Sequence, residues 1–458
     1  MLFTDSIFLY LFLPITLLCY FLVSKKAKNI LLLFFSLLFY SFGEKELVLL
    51  IIASALIDFI CGLLISNNYK KTGLYFSIIF NLSILGYFKY SSFLYLTISD
   101  TLPFLNLDAA KFDSVVLPLG ISFFTFQTMS YTIDVYFGMV KASKNFLSFL
   151  TYVSFFPQLI AGPIVRYSEI KDQLNQRYVD GNMFYSGLER FVIGLSKKLL
   201  IANNCALIAD SIFNLPQNES SALISWIGII AYSIQIYFDF SGYSDMAIGL
   251  GKLFGFNFPE NFNYPYVSKS IKEFWKRWHI TLSLWFKDYL YIPLGGNRSS
   301  NYKNYINLII VFLITGLWHG ANWTFIIWGL WHGVFIILER RFLTKKLENT
   351  HSFIAHFYCL FVVLIGWIIF RSDSIKDAFN YIINLFDFTK PTNYDFLLYY
   401  LNIETVIAMV FGISLSIPLF KHSSFLEKTK PLIIVLLFIL CSFYVASESY
   451  NPFIYFRF

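Results

Sequence analysis

The sequence predicts an all-α polytopic membrane protein, and three observations carry that prediction. Of its 458 residues 57% are hydrophobic and only 14% charged, whereas water-soluble domains carry about a quarter charged residues. Mean hydropathy is +0.61, and apolar runs of spanning length recur from end to end. No polar block is long enough to fold alone; the longest, about 256 to 303, is itself rich in aromatics. The expected organisation is one integral-membrane domain over 1–458, with its core at about 114–340.

Spanning a bilayer takes roughly 20 apolar residues. Candidate segments fall at 6–23, 29–43, 46–67, 73–96, 114–137, 145–163, 187–212, 222–240, 304–319, 321–338, 354–371, 402–420 and 431–447. The first is read as a membrane helix and not as a cleaved leader, because its positive charges follow the apolar run and no small-residue cleavage site is visible. Pro118 and Gly120 mark 114–137 as a segment that breaks or re-enters. Lysines and arginines set the orientation. Lys25, Lys26, Lys28, Lys70, Lys71, Arg340, Arg341, Lys345, Lys346, Lys421, Lys428 and Lys430 mark cytoplasmic loops, as do the basic residues of 269–303. The loop 97–113, with Asp100, Asp108 and Asp113, then falls outside, and both termini are expected to be extracytoplasmic. The net charge of +7 follows from these loops beside anionic lipid headgroups, so nucleic acid is not expected as a partner.

The central basic stretch is amphipathic. Ile271, Phe274, Trp275, Trp278, Leu282, Trp285, Phe286 and Tyr289 recur at helical spacing, with Lys272, Lys276, Arg277 and Lys287 largely opposite. This predicts one helix along the cytoplasmic interface, started by Ser270 with Glu273 as a capping box. A second amphipathic helix is predicted after Ser374.

Six histidines are present, and three lie in aromatic, apolar settings. His279 is expected to point inward from the amphipathic helix; an ordinary hydrogen-bonded interior histidine is the competing reading. His319, in Gly316-Leu317-Trp318-His319-Gly320-Ala321-Asn322-Trp323, stands at a turn within the membrane. There a polar ring costs a few kcal/mol unless it has partners, so such residues line polar cavities and do chemistry. Small residues that let two helices pack, with His319 as polar glue, are the alternative. His332, in Gly329-Leu330-Trp331-His332-Gly333, repeats the pattern without a nearby break and reads as structural. An imidazole can take a proton from a hydroxyl and return it to a leaving group, which suits acyl transfer. No HExxH, no paired cysteine and no dense acidic cluster accompanies the histidines, so no metal site is expected. Asp239, Ser241, Ser244 and Asp245 lack a nucleophile-elbow pattern and read as a polar break in a membrane helix.

The chain resembles the membrane-bound O-acyltransferase family, in its bacterial branch for alginate, cellulose and peptidoglycan O-acetylation. The likeness runs through Phe123 to Tyr131, Phe156-Pro-Gln-Leu-Ile-Ala-Gly-Pro163, Asp239 to Asp245, Phe258-Pro-Glu-Asn-Phe262, Arg277-Trp-His-Ile-Thr-Leu-Ser283, Asp288 to Gly296 and Leu317-Trp-His-Gly320. It also covers the ending from Asn451 to Phe458. The resemblance implies a ring of about 11–13 helical elements around a central funnel or tunnel, with re-entrant or interfacial helices. It implies that His319 is the essential histidine and that His279 stands on the cytoplasmic side of the channel. By family the donor is acetyl-CoA, no cofactor stays bound, and the acetyl group passes to an extracytoplasmic esterase-like acetyltransferase that modifies the polysaccharide.

On this reading His319 is a general base or transient acyl carrier and His279 holds the donor or orients His319. Trp318, Trp323, Asn322 and Trp278 line the substrate channel. Lys276, Arg277, Lys287 and Arg298 suit the phosphates of the donor, although topology alone explains the same charges. The tail Phe453 to Phe458 reads as an interfacial aromatic anchor or a partner-docking segment. D-alanyl transfer to teichoic acid and transport of a lipid-linked sugar are the alternative functions. The expected location is the bacterial inner membrane.

Overall fold

The computed structural model describes all residues except 106–114, 217, 299, 420–423, 448–449, 453 and 455–458. Asp108, Asp113, Lys421 and most of the aromatic tail lie outside the described residues. Each segment expected to span is helical over most of its described length, and among the described residues there is no strand. The protein is an all-α, multi-pass membrane protein. Among the described residues five helices are long and apolar enough to cross a membrane, and a sixth span results if the bent pair Tyr394–Tyr400 and Ile403–Leu415 counts as one.

The chain divides into two compact units, Met1–Leu188 with Ala247–Pro259, and Glu189–Met246 with Glu260–Phe458. In the first, the helices Val48–Ser66, Lys70–Leu85 and Ile121–Tyr136 pack together. Inside them Asp58 is buried and accepts hydrogen bonds from Ser77 Oγ at 2.5 Å and Asn81 Nδ2 at 2.9 Å. The break expected at Gly120 is present: the helix begins at Ile121, and Gly120 caps it at φ +73°, where a Cβ would also overlap the Leu159 carbonyl.

The second unit carries the three apolar-setting histidines. Its core joins Phe274, Trp275, Trp278, Trp328, Trp367 and Phe370 with aliphatic residues of 201–236 and 359–369. Buried ring nitrogens and hydroxyls are joined across elements: Trp367 Nε1 donates to Tyr266 Oη at 3.1 Å, and Tyr266 Oη donates to the Ser233 carbonyl at 2.6 Å. The amphipathic helix after Ser374 forms as Ile375–Asn384, with Ser374 Oγ accepting from Asp377 N–H.

Two expectations are corrected here. Asp239 to Asp245 do not break their helix, which runs unbroken from Ala222 to Leu253. The carboxylates are instead neutralised laterally, Asp239 by Lys198 at 2.7 Å and Asp245 by Arg190 and Lys197, each at 2.7 Å. Conversely, the amphipathic stretch is not one helix. It forms Ile271–Arg277, then Ile280–Phe286, then a wider turn over Lys287–Tyr291. The extended residues 261–263 take two members of its hydrogen-bond ladder: the Arg277 carbonyl accepts from Asn263 N–H, and Ile280 N–H donates to the Asn261 carbonyl, both at 2.9 Å. Side-chain periodicity cannot register this competition for backbone groups.

The segment near the end of the chain is also tied into this unit. Lys198 Nζ donates to the Pro452 carbonyl, Asp239 Oδ2 accepts from Ile454 N–H at 2.9 Å, and Asp210 joins Arg371 at 2.6 Å and Tyr450 Oη at 2.8 Å. Ile454 is buried in the core of this unit, while the aromatic residues of the tail lie outside the described residues.

Candidate active site

His319 is the last residue of the helix Asn301–His319, and three residues later Asn322 caps the helix Trp323–Leu338. Glycines make this hairpin tight. A Cβ at Gly316 would overlap the Phe325 carbonyl, a Cβ at Gly329 would overlap the Phe312 carbonyl, and a Cβ at Gly320 would enter the Phe325 ring. The two helices therefore touch backbone to backbone, which only glycine permits. Asn322 holds the turn by accepting from Thr324 N–H at 3.0 Å and donating to the Asp373 carbonyl at 3.1 Å.

The hairpin brings His319 into the protein interior, where the residue is 3% exposed. Aromatic rings enclose it: Trp318 and Trp328 each at 5.0 Å between centroids and Phe370 at 5.3 Å. All three meet it edge-on or nearly so, the favoured geometry for aromatic pairs.

His279 occupies the corner between the two short amphipathic helices with φ +43° and ψ +55°, a left-handed conformation uncommon for a residue with a Cβ. It is fully buried, as the sequence implies, but a chain corner puts it there, not a helix face. Its ring lies 4.6 Å from Phe240, 5.8 Å from Trp318 and 6.4 Å from His319. His279 Nδ1 bonds Asn261 Oδ1 at 3.1 Å. Among the described residues, Nε2 has no hydrogen-bond partner.

Of the residues singled out by sequence, the structure brings His319, His279 and Trp318 together, and it buries Trp278 against Phe262 at 5.1 Å and Trp367 at 4.8 Å. Trp323 is 49% exposed, and it is Trp328 that joins Trp318 against the His319 ring. His332 is fully buried beside Trp275 and Trp328, with Gly366 so close that a Cβ there would stand 2.9 Å from Nε2. Lys276, Lys287 and Arg298 are exposed. Arg277 is engaged by Glu273 at 3.0 Å and by the Asn263 carbonyl at 3.1 Å, so its guanidinium is partly committed to the fold.

Sequence reasoning missed Trp328, Phe370 and Asn261 as neighbours of the histidines. Trp328 had a signal, since it lies on the first turns of the helix that folds back on His319. Asn261 lies in the Phe258-Pro-Glu-Asn-Phe262 motif, though nothing in that motif points to a histidine, and Phe370 had no signal because its proximity comes from tertiary packing of a distant segment.

Comparison with known proteins supplies the family. The model of the membrane-bound O-acyltransferase family matches residues 140–375, a span that contains all three buried histidines. The probable alginate O-acetylase AlgI of Pseudomonas aeruginosa is 42% identical, over 85% of this chain and 75% of its own length. The peptidoglycan O-acetyltransferase of Helicobacter pylori is 39% identical, over 82% of this chain and 78% of its own. The teichoic acid D-alanyltransferase of Bacillus subtilis is 34% identical over 44% of this chain and 53% of its own. A family match over more than half of the chain, joined to relatives covering most of it, settles the point: this chain belongs to the membrane-bound O-acyltransferase family and is an acyltransferase.

Proposed function

We propose that the protein is an O-acetyltransferase that moves an acetyl group from cytoplasmic acetyl-CoA toward an extracytoplasmic polysaccharide, peptidoglycan or alginate, through a partner acetyltransferase outside the membrane. The observation that carries the reading is the pair of buried imidazoles, His279 and His319, 6.4 Å apart inside an aromatic wall. In the first step His319 takes the proton of an acceptor hydroxyl, and the oxygen attacks the thioester carbonyl. The C–S bond then breaks, and the leaving thiolate recovers the proton from the imidazolium. His319 closes a helix, so the carbonyl end of that helix favours the positive charge it holds between the two steps. Trp318, Trp328 and Phe370 exclude water, which protects the thioester from hydrolysis. Exposed Lys276, Lys287 and Arg298 offer cations to the phosphates of the donor. The bacterial inner membrane, with both termini outside, is the orientation the basic loops support.

The relatives favour acetyl over D-alanyl transfer, because the two O-acetylating proteins cover far more of this chain than the D-alanyltransferase does. The test is release of free CoA from acetyl-CoA by purified protein in proteoliposomes supplied with the extracytoplasmic partner acetyltransferase, with muropeptides or oligomannuronate as final acceptor. Wild type should release CoA only with acceptor present, and His319→Ala should release none while keeping its elution profile. Movement of a lipid-linked sugar without CoA release would overturn the reading in favour of transport.

A further inference from the structure

We infer that Asn261 is a positioning residue that fixes His279 as its Nδ1–H tautomer, so that His279 offers a bare Nε2 lone pair to the reaction. The inference rests on the proposed acyl-transfer site and specifies the part of His279 in it: the ring accepts a hydrogen bond or proton and does not donate one.

The orientation of the Asn261 amide is fixed by its other partners. Asn261 Nδ2 donates to Ser244 Oγ at 3.1 Å. Its Oδ1 receives Thr281 N–H at 3.2 Å and lies 2.8 Å from Thr281 Oγ1. A backbone N–H can only donate, so the amide cannot be turned around, and the atom facing His279 is the oxygen. An amide oxygen only accepts. The 3.1 Å contact to Nδ1 therefore requires the proton on Nδ1, and a neutral ring then has none on Nε2. Nε2 has no hydrogen-bond partner among the described residues, and the whole ring is buried. A bare lone pair in an apolar interior is costly unless something else uses it.

The backbone strengthens the assignment. His279 sits in the left-handed region, a strained conformation that persists only where surrounding contacts over-determine it. Asn261 supplies those contacts: its carbonyl receives Ile280 N–H at 2.9 Å while its side chain holds His279 and Thr281. One residue thus fixes where the imidazole stands and which nitrogen carries the proton, as partners of metal-bound and triad histidines do.

The test uses the full chain labelled with ¹⁵N-histidine, the His279 signals being assigned by their loss in His279→Gln. Wild type should show a protonated Nδ1 and an unprotonated Nε2. Asn261→Leu should shift His279 toward the other tautomer and lower kcat for CoA release by about 10- to 100-fold, with KM for acetyl-CoA unchanged. Asn261→Asp keeps the acceptor and should restore both the spectrum and most of the rate. A wild-type spectrum with the proton on Nε2 overturns the inference, even where Asn261→Leu fails to fold. An unchanged tautomer or kcat in folded Asn261→Leu overturns it as well. Full activity of His279→Ala would instead overturn the role proposed for His279, leaving the spectrum to judge Asn261 separately.

Discussion

Trp318 touches both imidazoles of the site, His319 at 5.0 Å and His279 at 5.8 Å between ring centroids. It is the wall that the two histidines share, and it sits one residue before one of them. Its replacement by alanine should remove that shared wall and admit water between the rings. Trp318→Ala is expected to raise acceptor-independent hydrolysis of acetyl-CoA relative to transfer, read as the ratio of free acetate to acetylated acceptor. An unchanged ratio would show that the indole does not keep the site dry.

Trp328 is fully buried and contacts His319, His332 and Phe370 at 5.0 to 5.1 Å. Trp328→Ala should cost about 3–5 kcal/mol, the usual loss for a large aromatic in a packed interior. Trp328→Phe should recover most of that stability. Thermal denaturation in detergent measures both, and equal midpoints for the two variants would contradict the packing described.

Gly316 and Gly329 allow the backbones of the site hairpin to touch. Alanine at either position should overpack the crossing at a cost of about 1–3 kcal/mol and displace His319. Both variants are expected to lose transfer activity more steeply than stability. Wild-type rates in Gly316→Ala would contradict the tight crossing described.

Lys198 and Asp239 form a buried ion pair at 2.7 Å. Removing one partner strands the other charge, so Lys198→Met or Asp239→Leu alone should destabilise by about 3–5 kcal/mol. The double variant should be less damaged than either single one, because no lone charge remains. Additive losses would argue that the pair contributes nothing as a pair.

Lys276, Lys287 and Arg298 stand exposed on the basic stretch. Changing all three to glutamate should raise KM for acetyl-CoA about tenfold or more at low salt, with kcat held, and the effect should shrink as ionic strength rises. A KM that ignores both charge and salt would reduce these residues to topology signals.

The fold class was open to inspection in the sequence because hydropathy is additive along a chain. The apolar runs became helices, and Ser374 became the cap that its position suggested. His319 was legible for a related reason: glycines on both sides of a polar ring mark a turn before any packing is known. What the sequence concealed were competitions between distant groups. The amphipathic periodicity of 271–289 was real, yet Asn261 and Asn263 took the backbone partners that a continuous helix needs. Asp239 and Asp245 looked disruptive because their cationic partners, Lys198, Lys197 and Arg190, belong to another stretch of chain. Trp323 was closer in sequence to His319 than Trp328, but a helix turns its neighbouring side chains to different sides.

Asp239 receives the amide of Ile454, and Lys198 binds the carbonyl of Pro452. During synthesis both charged residues enter the lipid long before either backbone group has been made. Until Pro452 and Ile454 are in place, this ion pair lacks two of its ligands. A chain truncated before Pro452 is expected to keep the two opposite charges in the interior but to lose both backbone bonds that complete their shells.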